Sequence, residues 1–143
     1  METKLEVVYE AFLQKITDYN FANNMTDEDV EEKLRGLLKT ACRNFRKCKK
    51  NLSFDEANII FVSELDGMEI EILAYLMVVE YLTAKVVSTE SLEQVLNDKD
   101  FKIYSQANQL SNVEQVRKNF RSMTNKLITE YLYEEKVSKN DKR

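Results

Sequence analysis

Apolar residues recur at steps of three and four along most of the chain, the spacing that lines up one face of an α-helix. From Lys4 to Tyr19 the apolar set is Leu5, Val8, Phe12, Ile16 and Tyr19, which predicts a first amphipathic helix. A break follows at Asn20 to Met25. Thr26, with Asp29 three residues on, then forms a capping pair, and Asp27, Glu28 and Asp29 suit the positive end of a helix macrodipole. The second helix opens there and carries Val30, Leu34, Leu37, Leu38, Ala41, Cys42 and Phe45 on one side. It gathers Lys and Arg toward its negative end and is expected to stop near Lys49.

Residues 51–65 lose the helical period. Their apolar run Ile59, Ile60, Phe61 and Val62 fits either a short strand near 58–63 or an extended connector. Asp66 with Glu69 is a second capping pair, opening a helix to about Val87. Ile70, Ile72, Leu73, Leu76, Met77, Val79 and Leu82 are spread around its circumference, as suits a helix in the middle of a bundle. Ser88 is placed to cap a shorter segment faced by Leu92, Val95 and Leu96, ending at Asn97 to Asp100, with Phe101, Ile103 and Tyr104 anchoring an irregular connector. Ser111 and Glu114 read as a capping box for the last helix, whose stripe is Val113, Val116, Phe120, Met123 and Leu127, prolonged by Ile128 and Tyr131. That stripe suits a core face or a seam between subunits. Beyond Tyr133 the sequence EEKVSKNDKR has little to bury and is expected to fray.

Composition narrows the fold class. The chain has no proline and two glycines, Gly36 and Gly67, whereas sheet-rich folds need many turn residues. Its 143 residues fit one domain, enough to bury about two-thirds of the surface of the unfolded chain. With 43% hydrophobic and 32% charged residues it is too apolar for a disordered chain and too polar for a membrane protein. The expectation is an all-α, single-domain helical bundle of about five helices over residues 1–133, followed by a flexible charged tail over 134–143. The most apolar stretch, Ile70 to Val87, contains Glu71, Glu80 and Lys85 and reads as a core helix, not a membrane span. Met1 is followed by charged Glu2 and Lys4 without an apolar run, which points away from secretion.

Candidate chemistry is sparse. There is no histidine, which removes Ser-His-Asp and Cys-His catalysis and the commonest transition-metal ligand. Cys42 and Cys48, six residues apart in an expected helix, lie about 9 Å apart along its axis, too far for an unstrained disulfide. The carboxylate groups Glu69 and Glu71, Asp98 and Asp100, and Asp27 to Glu32 sit at helix starts or polar turns, where capping and solvation explain them better than acid-base or magnesium chemistry. No enzyme activity, cofactor, metal or small-molecule substrate is expected.

The sharpest feature is charge segregation. Residues 33–50 contain Lys33, Arg35, Lys39, Arg43, Arg46, Lys47, Lys49 and Lys50 without an acid. Residues 51–84 contain Asp55, Glu56, Glu64, Asp66, Glu69, Glu71 and Glu80 without a base. Such blocks usually pair within their own monomer. They also suit contact between neighbouring subunits, basic face to acidic face, with Lys39, Arg43, Arg46, Lys47 and Lys50 opposite Asp55, Glu56, Glu64, Asp66 and Glu69. A third reading takes the basic run as a nucleic-acid surface, against which stand a net charge of -4 and a pI of about 5.1.

Three segments carry a family resemblance: FRKCKK at Phe45 to Lys50, EIEILAYLMVVEYL at Glu69 to Leu82, and LNDKDFKIYSQANQL at Leu96 to Leu110. Together they resemble small proteins of tailed phages of low-GC Gram-positive bacteria, of the head-tail connector or neck type, over about Val30 to Leu132. The resemblance implies a structural virion protein, assembled in the host cytoplasm, that forms a homo-oligomeric ring, commonly a dodecamer, below the portal protein. Such an adaptor joins the head to the next neck or tail-completion protein and meets DNA only as it passes through the channel. Within that family a terminal tail often reaches into the portal or a neighbour, a role that falls here to Glu134, Glu135, Lys136, Val137, Lys139, Lys142 and Arg143. The run Ile59 to Val62 is a candidate to add to a strand of the next protein. The alternative is a small phage regulatory or nucleic-acid-binding protein using the basic helix 33–50.

Overall fold

The computed structural model describes residues 2–16, 26–95 and 100–141, and the side chains among these apart from 86–95, 100–112 and 135–141. The described residues form four helices, α1 (Leu5–Lys15), α2 (Asp27–Asn44), α3 (Gly67–Val95) and α4 (Asp100–Asp141), and one hairpin, β1 (Phe54–Asp55) with β2 (Ile60–Phe61). Among the described residues the helix count differs from the five expected because α3 absorbs the short segment read as a separate helix, and α4 also takes in the stretch read as a connector. α3 continues through Ser88 to Val95, and α4 begins at Asp100 and passes through Ser111. With no Pro or Gly after Gly67, polar residues alone do not end a helix. A Ser-x-x-Glu motif caps only where no helical turn precedes it. Glu114 instead binds Arg117, with Arg117 Nη2 donating to Glu114 Oε1 at 2.7 Å. The side chains of Leu92, Val95, Phe101, Ile103, Tyr104 and Asp100, and residues Tyr19, Leu96 and Asp98, lie outside the described set.

α3 is the spine of the fold, because α1, α2 and α4 each pack against it. Its Ile72, Leu73, Ala74, Met77 and Val78 are fully buried, as apolar positions on all sides of a central helix require. α1 contributes Leu5, Val8, Tyr9 and Phe12, and α2 contributes Leu34, Leu38 and Ala41, following the stripes that their spacing predicts. Thr26 caps α2 with a reciprocal box: its hydroxyl accepts from the Asp29 amide at 3.1 Å, and the Asp29 carboxylate accepts from the Thr26 amide at 3.4 Å. Among the described residues no helix is long and apolar enough to cross a membrane.

α2 ends at Asn44, five residues short of the expected Lys49, because Phe45 turns into the core. There its ring meets Tyr131 edge-on at 5.4 Å. The chain then reverses into the hairpin, where Phe54 pairs with Phe61 and Asp55 with Ile60. Asp55 closes the connecting turn by accepting from the amides of Ala57 and Asn58 and from Asn58 Nδ2. The residues before α1 cover the other edge of β2: Lys4 bridges Ile60, the Phe61 amide donates to the Thr3 carbonyl at 2.8 Å, and the Leu5 amide donates to the Ile59 carbonyl at 3.1 Å. The strand anticipated near 58–63 is therefore present, but both its edges are occupied within the chain. It has no free edge to offer the strand of another protein.

Candidate functional site

The densest polar chemistry in the described residues gathers at the start of α3. Asp66 and Glu69 form the capping pair expected from their spacing, the Glu69 amide donating to Asp66 Oδ1 at 2.8 Å and the Asp66 amide to Glu69 Oε1 at 2.9 Å. The exposed Thr26 box stands in water, whereas Glu69 is only 1% exposed. Two distant pieces of chain cover it. Lys50 Nζ donates to Oε1 at 3.2 Å, while Cys48 Sγ and the Tyr131 hydroxyl donate to Oε2 at 3.6 and 2.8 Å. Tyr131 in turn accepts from the Lys49 amide at 3.0 Å, and Lys50 also donates to the Glu64 carbonyl at 2.8 Å. The node ties the turn after α2, the start of α3 and the C-terminal half of α4 together.

Its electrostatics describe a structural carboxylate. Burial alone pushes Glu69 toward the neutral acid, but the Asp66 amide, the Tyr131 hydroxyl and Lys50 outweigh it and hold the carboxyl below its ordinary range. Burial pushes the Cys48 thiol up, and it raises the Tyr131 phenol with further help from the Glu69 charge. Cys42, half-buried nearby, is pushed up to about 12 by desolvation, with the Cys48 charge adding to it. Both cysteines are free. Glu69, Cys48 and Tyr131 all move away from neutrality, and donors occupy both carboxylate oxygens. The cluster is set to hold charge in place rather than to exchange a proton near pH 7. No group of three metal-ligating side chains occurs among the described residues.

The charge blocks find many partners inside the chain. Lys39 reaches Glu56 across the hairpin at 2.6 Å, Lys50 reaches Glu69, and Lys15 pairs with Glu71. Arg35 bonds Glu31 on its own helix, while Lys33 and Lys49 lie over the rings of Tyr81 and Tyr131 at 5.2 Å each. Asp55 closes the hairpin and Asp66 caps α3. Of the ten side chains proposed for a subunit contact, Lys39, Lys50, Asp55, Glu56, Asp66 and Glu69 are thus engaged internally. Arg43, Arg46, Lys47 and Glu64 remain exposed, and among the described residues their side chains make no ion pair.

Arg43, Arg46 and Lys47 sit together where α2 ends and its chain turns. Asn44 between them lines a groove of about 330 Å³ of mixed character, in which Leu76, Val79 and Ile128 stand beside Arg117, Arg121 and Asn125. Arg121 is exposed as well, and Glu80 of α3 lines the same groove. On α4 the buried line is Thr124 and Tyr131, flanked by half-buried Phe120, Leu127 and Ile128. Thr124 tolerates this because its hydroxyl donates back to the Phe120 carbonyl at 2.7 Å. The expected stripe is therefore only partly covered: Val116 and Met123 are 43% and 44% exposed, beside a shallow hollow of about 200 Å³ lined by Tyr75, Asn119, Phe120 and Met123. α4 continues to Asp141, carrying Glu135, Lys136, Val137 and Lys139 on its backbone; Glu134 is exposed, and Lys142 and Arg143 lie outside the described residues.

Sequence reasoning identified Glu69 as a cap but missed Tyr131 and Cys48 as its partners, since nothing local connects residues 62 and 21 positions apart. The only signal was Tyr131 prolonging an apolar face, where a buried phenol needs a hydrogen-bond partner. No protein-family model, curated protein or solved structure matches the chain.

Proposed function

We propose that this protein is a non-catalytic assembly subunit that works by binding other protein chains, and that it serves as a head-tail connector of a tailed phage. The observation that carries the assembly reading is the contrast between a saturated interior and an open surface. The buried Glu69 has donors on both oxygens, while Arg43, Arg46 and Lys47 stand exposed at the end of α2, next to Asn44, which lines a groove of mixed polar and apolar residues. α4 adds exposed Val116 and Met123 on a helix of 42 residues, about 63 Å long at 1.5 Å per residue. Apolar side chains of this kind supply affinity, and the cations select the partner.

The connector assignment rests on the resemblance of Phe45 to Lys50, Glu69 to Leu82 and Leu96 to Leu110 to neck proteins. In this reading the chain forms a ring below the portal protein, contacts the next neck or tail-completion protein, and acts in the virion. Deleting its reading frame from the phage genome tests it: electron microscopy of the lysate should show DNA-filled heads and unattached tails. Normal tailed particles, or arrest before any head is packaged, would contradict it.

The exposed cations also favour a second reading, in which Arg43, Arg46 and Lys47 bind nucleic acid in a small regulatory protein. Neutralising three phosphates gives log K a slope of about -2.7 against log salt, at about 0.9 per phosphate. Duplex retention at low salt that follows such a slope would favour this reading. Absence of retention at low salt would remove it.

A further inference from the structure

The acids of the hairpin and α3 start are largely engaged within the chain, which leaves the basic end of α2 without its expected counterpart. A better match lies at the other end of the same helix. Asp27, Glu28 and Glu32 are exposed in the first two turns of α2, and among the described residues they make no ion pair. Interaction with the helix dipole accounts for acids at the start and bases at the end. It does not bring them into contact. From Asp27 to Asn44 the axis is about 26 Å long, roughly three screening lengths at physiological salt, so the two ends cannot neutralise each other in one molecule.

We propose that the basic face formed by Arg43, Arg46 and Lys47, with Arg121 across the groove, receives the acidic first turns of α2 from a second copy of this chain. The inference rests on the assembly reading and names the contact it uses. The complementary patches lie at opposite ends of one rigid helix, and in the ring of the assembly reading each copy offers an acidic end to one neighbour and a basic end to the other. Such a heterologous contact closes into a ring when the rotation per subunit allows it and otherwise runs on as a filament. An antiparallel two-fold pair of α2 helices satisfies both patches as well, and the mass of the cross-linked species separates a pair from a longer series. The charges set orientation and register; their affinity alone is small, and it weakens with salt.

Zero-length carbodiimide cross-linking of the full chain, mixed in equal parts as light and 15N-labelled protein, reads the contact directly. Hybrid light-heavy peptides should join Asp27, Glu28 or Glu32 to Lys47 and should dominate the inter-copy links. Combining Arg43→Glu with Arg46→Glu leaves Lys47 available and should cut those hybrids at least fivefold, with the circular dichroism of the fold unchanged. Mixing that variant with a Glu28→Arg, Glu32→Arg chain should restore the Asp27 to Lys47 hybrid. Hybrids that are absent, that join other residues, or that ignore charge reversal would overturn the contact. Binding to the portal protein, measured separately, distinguishes the two proposals. Portal binding without these hybrids refutes only the contact, and hybrids without portal binding refute only the connector assignment.

Discussion

Replacing Glu69 by alanine perturbs a buried carboxylate that joins three parts of the fold. The substitution removes the acceptor for the Asp66 amide, worth about 1 kcal/mol as a lost cap. It also leaves the Tyr131 hydroxyl, on a residue 3% exposed, without its acceptor, which costs about 1–3 kcal/mol. Lys50 is 40% exposed and returns to water at little cost. The expected loss is therefore about 3 kcal/mol for Glu69→Ala, and about 1–2 kcal/mol for Glu69→Gln, which keeps the shape and one acceptor but loses the charge. Urea unfolding followed by circular dichroism measures both at pH 7. The folded carboxyl lies below its ordinary range, so its contribution is complete above the unfolded value of about 4.3 and is lost as pH falls through the lower folded value. The gap between wild type and Glu69→Ala should accordingly narrow on acidification. A loss under 0.5 kcal/mol at pH 7, or a gap that widens as the pH drops, would show that Glu69 does not hold these parts together.

Three further substitutions test separate parts of the fold. Ile59 has a φ of 58°, a left-handed conformation that a β-branched side chain adopts at a cost of about 1–3 kcal/mol, so Ile59→Gly should raise stability by about 0.5–1 kcal/mol after its own entropy cost. Thermal unfolding checks this, with Ile59→Val as a control expected to give no gain. Thr26→Ala removes the reciprocal cap of α2 and should cost about 1 kcal/mol in urea unfolding. Leu38→Ala empties a fully buried position between α2 and α3 and should cost about 2–5 kcal/mol, read as a lower urea midpoint.

Local features were legible in the sequence in proportion to how local their physics is. The Thr26 and Asp66 boxes span three residues, and both form. The stripe of α2 needs only helical period, and its Leu34, Leu38 and Ala41 are buried. Ser88 and Ser111 misled because a capping residue is recognised by type, whereas capping requires that the helix has not already begun. The absence of Pro and Gly after Gly67 was the stronger signal for two long helices. The charge blocks were visible, but which members pair was not: Lys39 meets Glu56 only because the hairpin folds back over α2. Likewise the Glu69 node needs α4 to deliver Tyr131 from 62 residues away. The exposed trio Arg43, Arg46 and Lys47 emerges only by subtraction, once the internal partners of the other cations are known.

Native mass spectrometry of the chain mixed with the portal ring of the proposed phage weighs the assembly that the surfaces are proposed to build. If the proposed connector role holds, the mass corresponds to a closed complex with one copy of this chain added per portal subunit. Disrupting Arg43 and Arg46 should leave incomplete occupancy. A portal ring whose mass is unchanged after mixing would rule the role out.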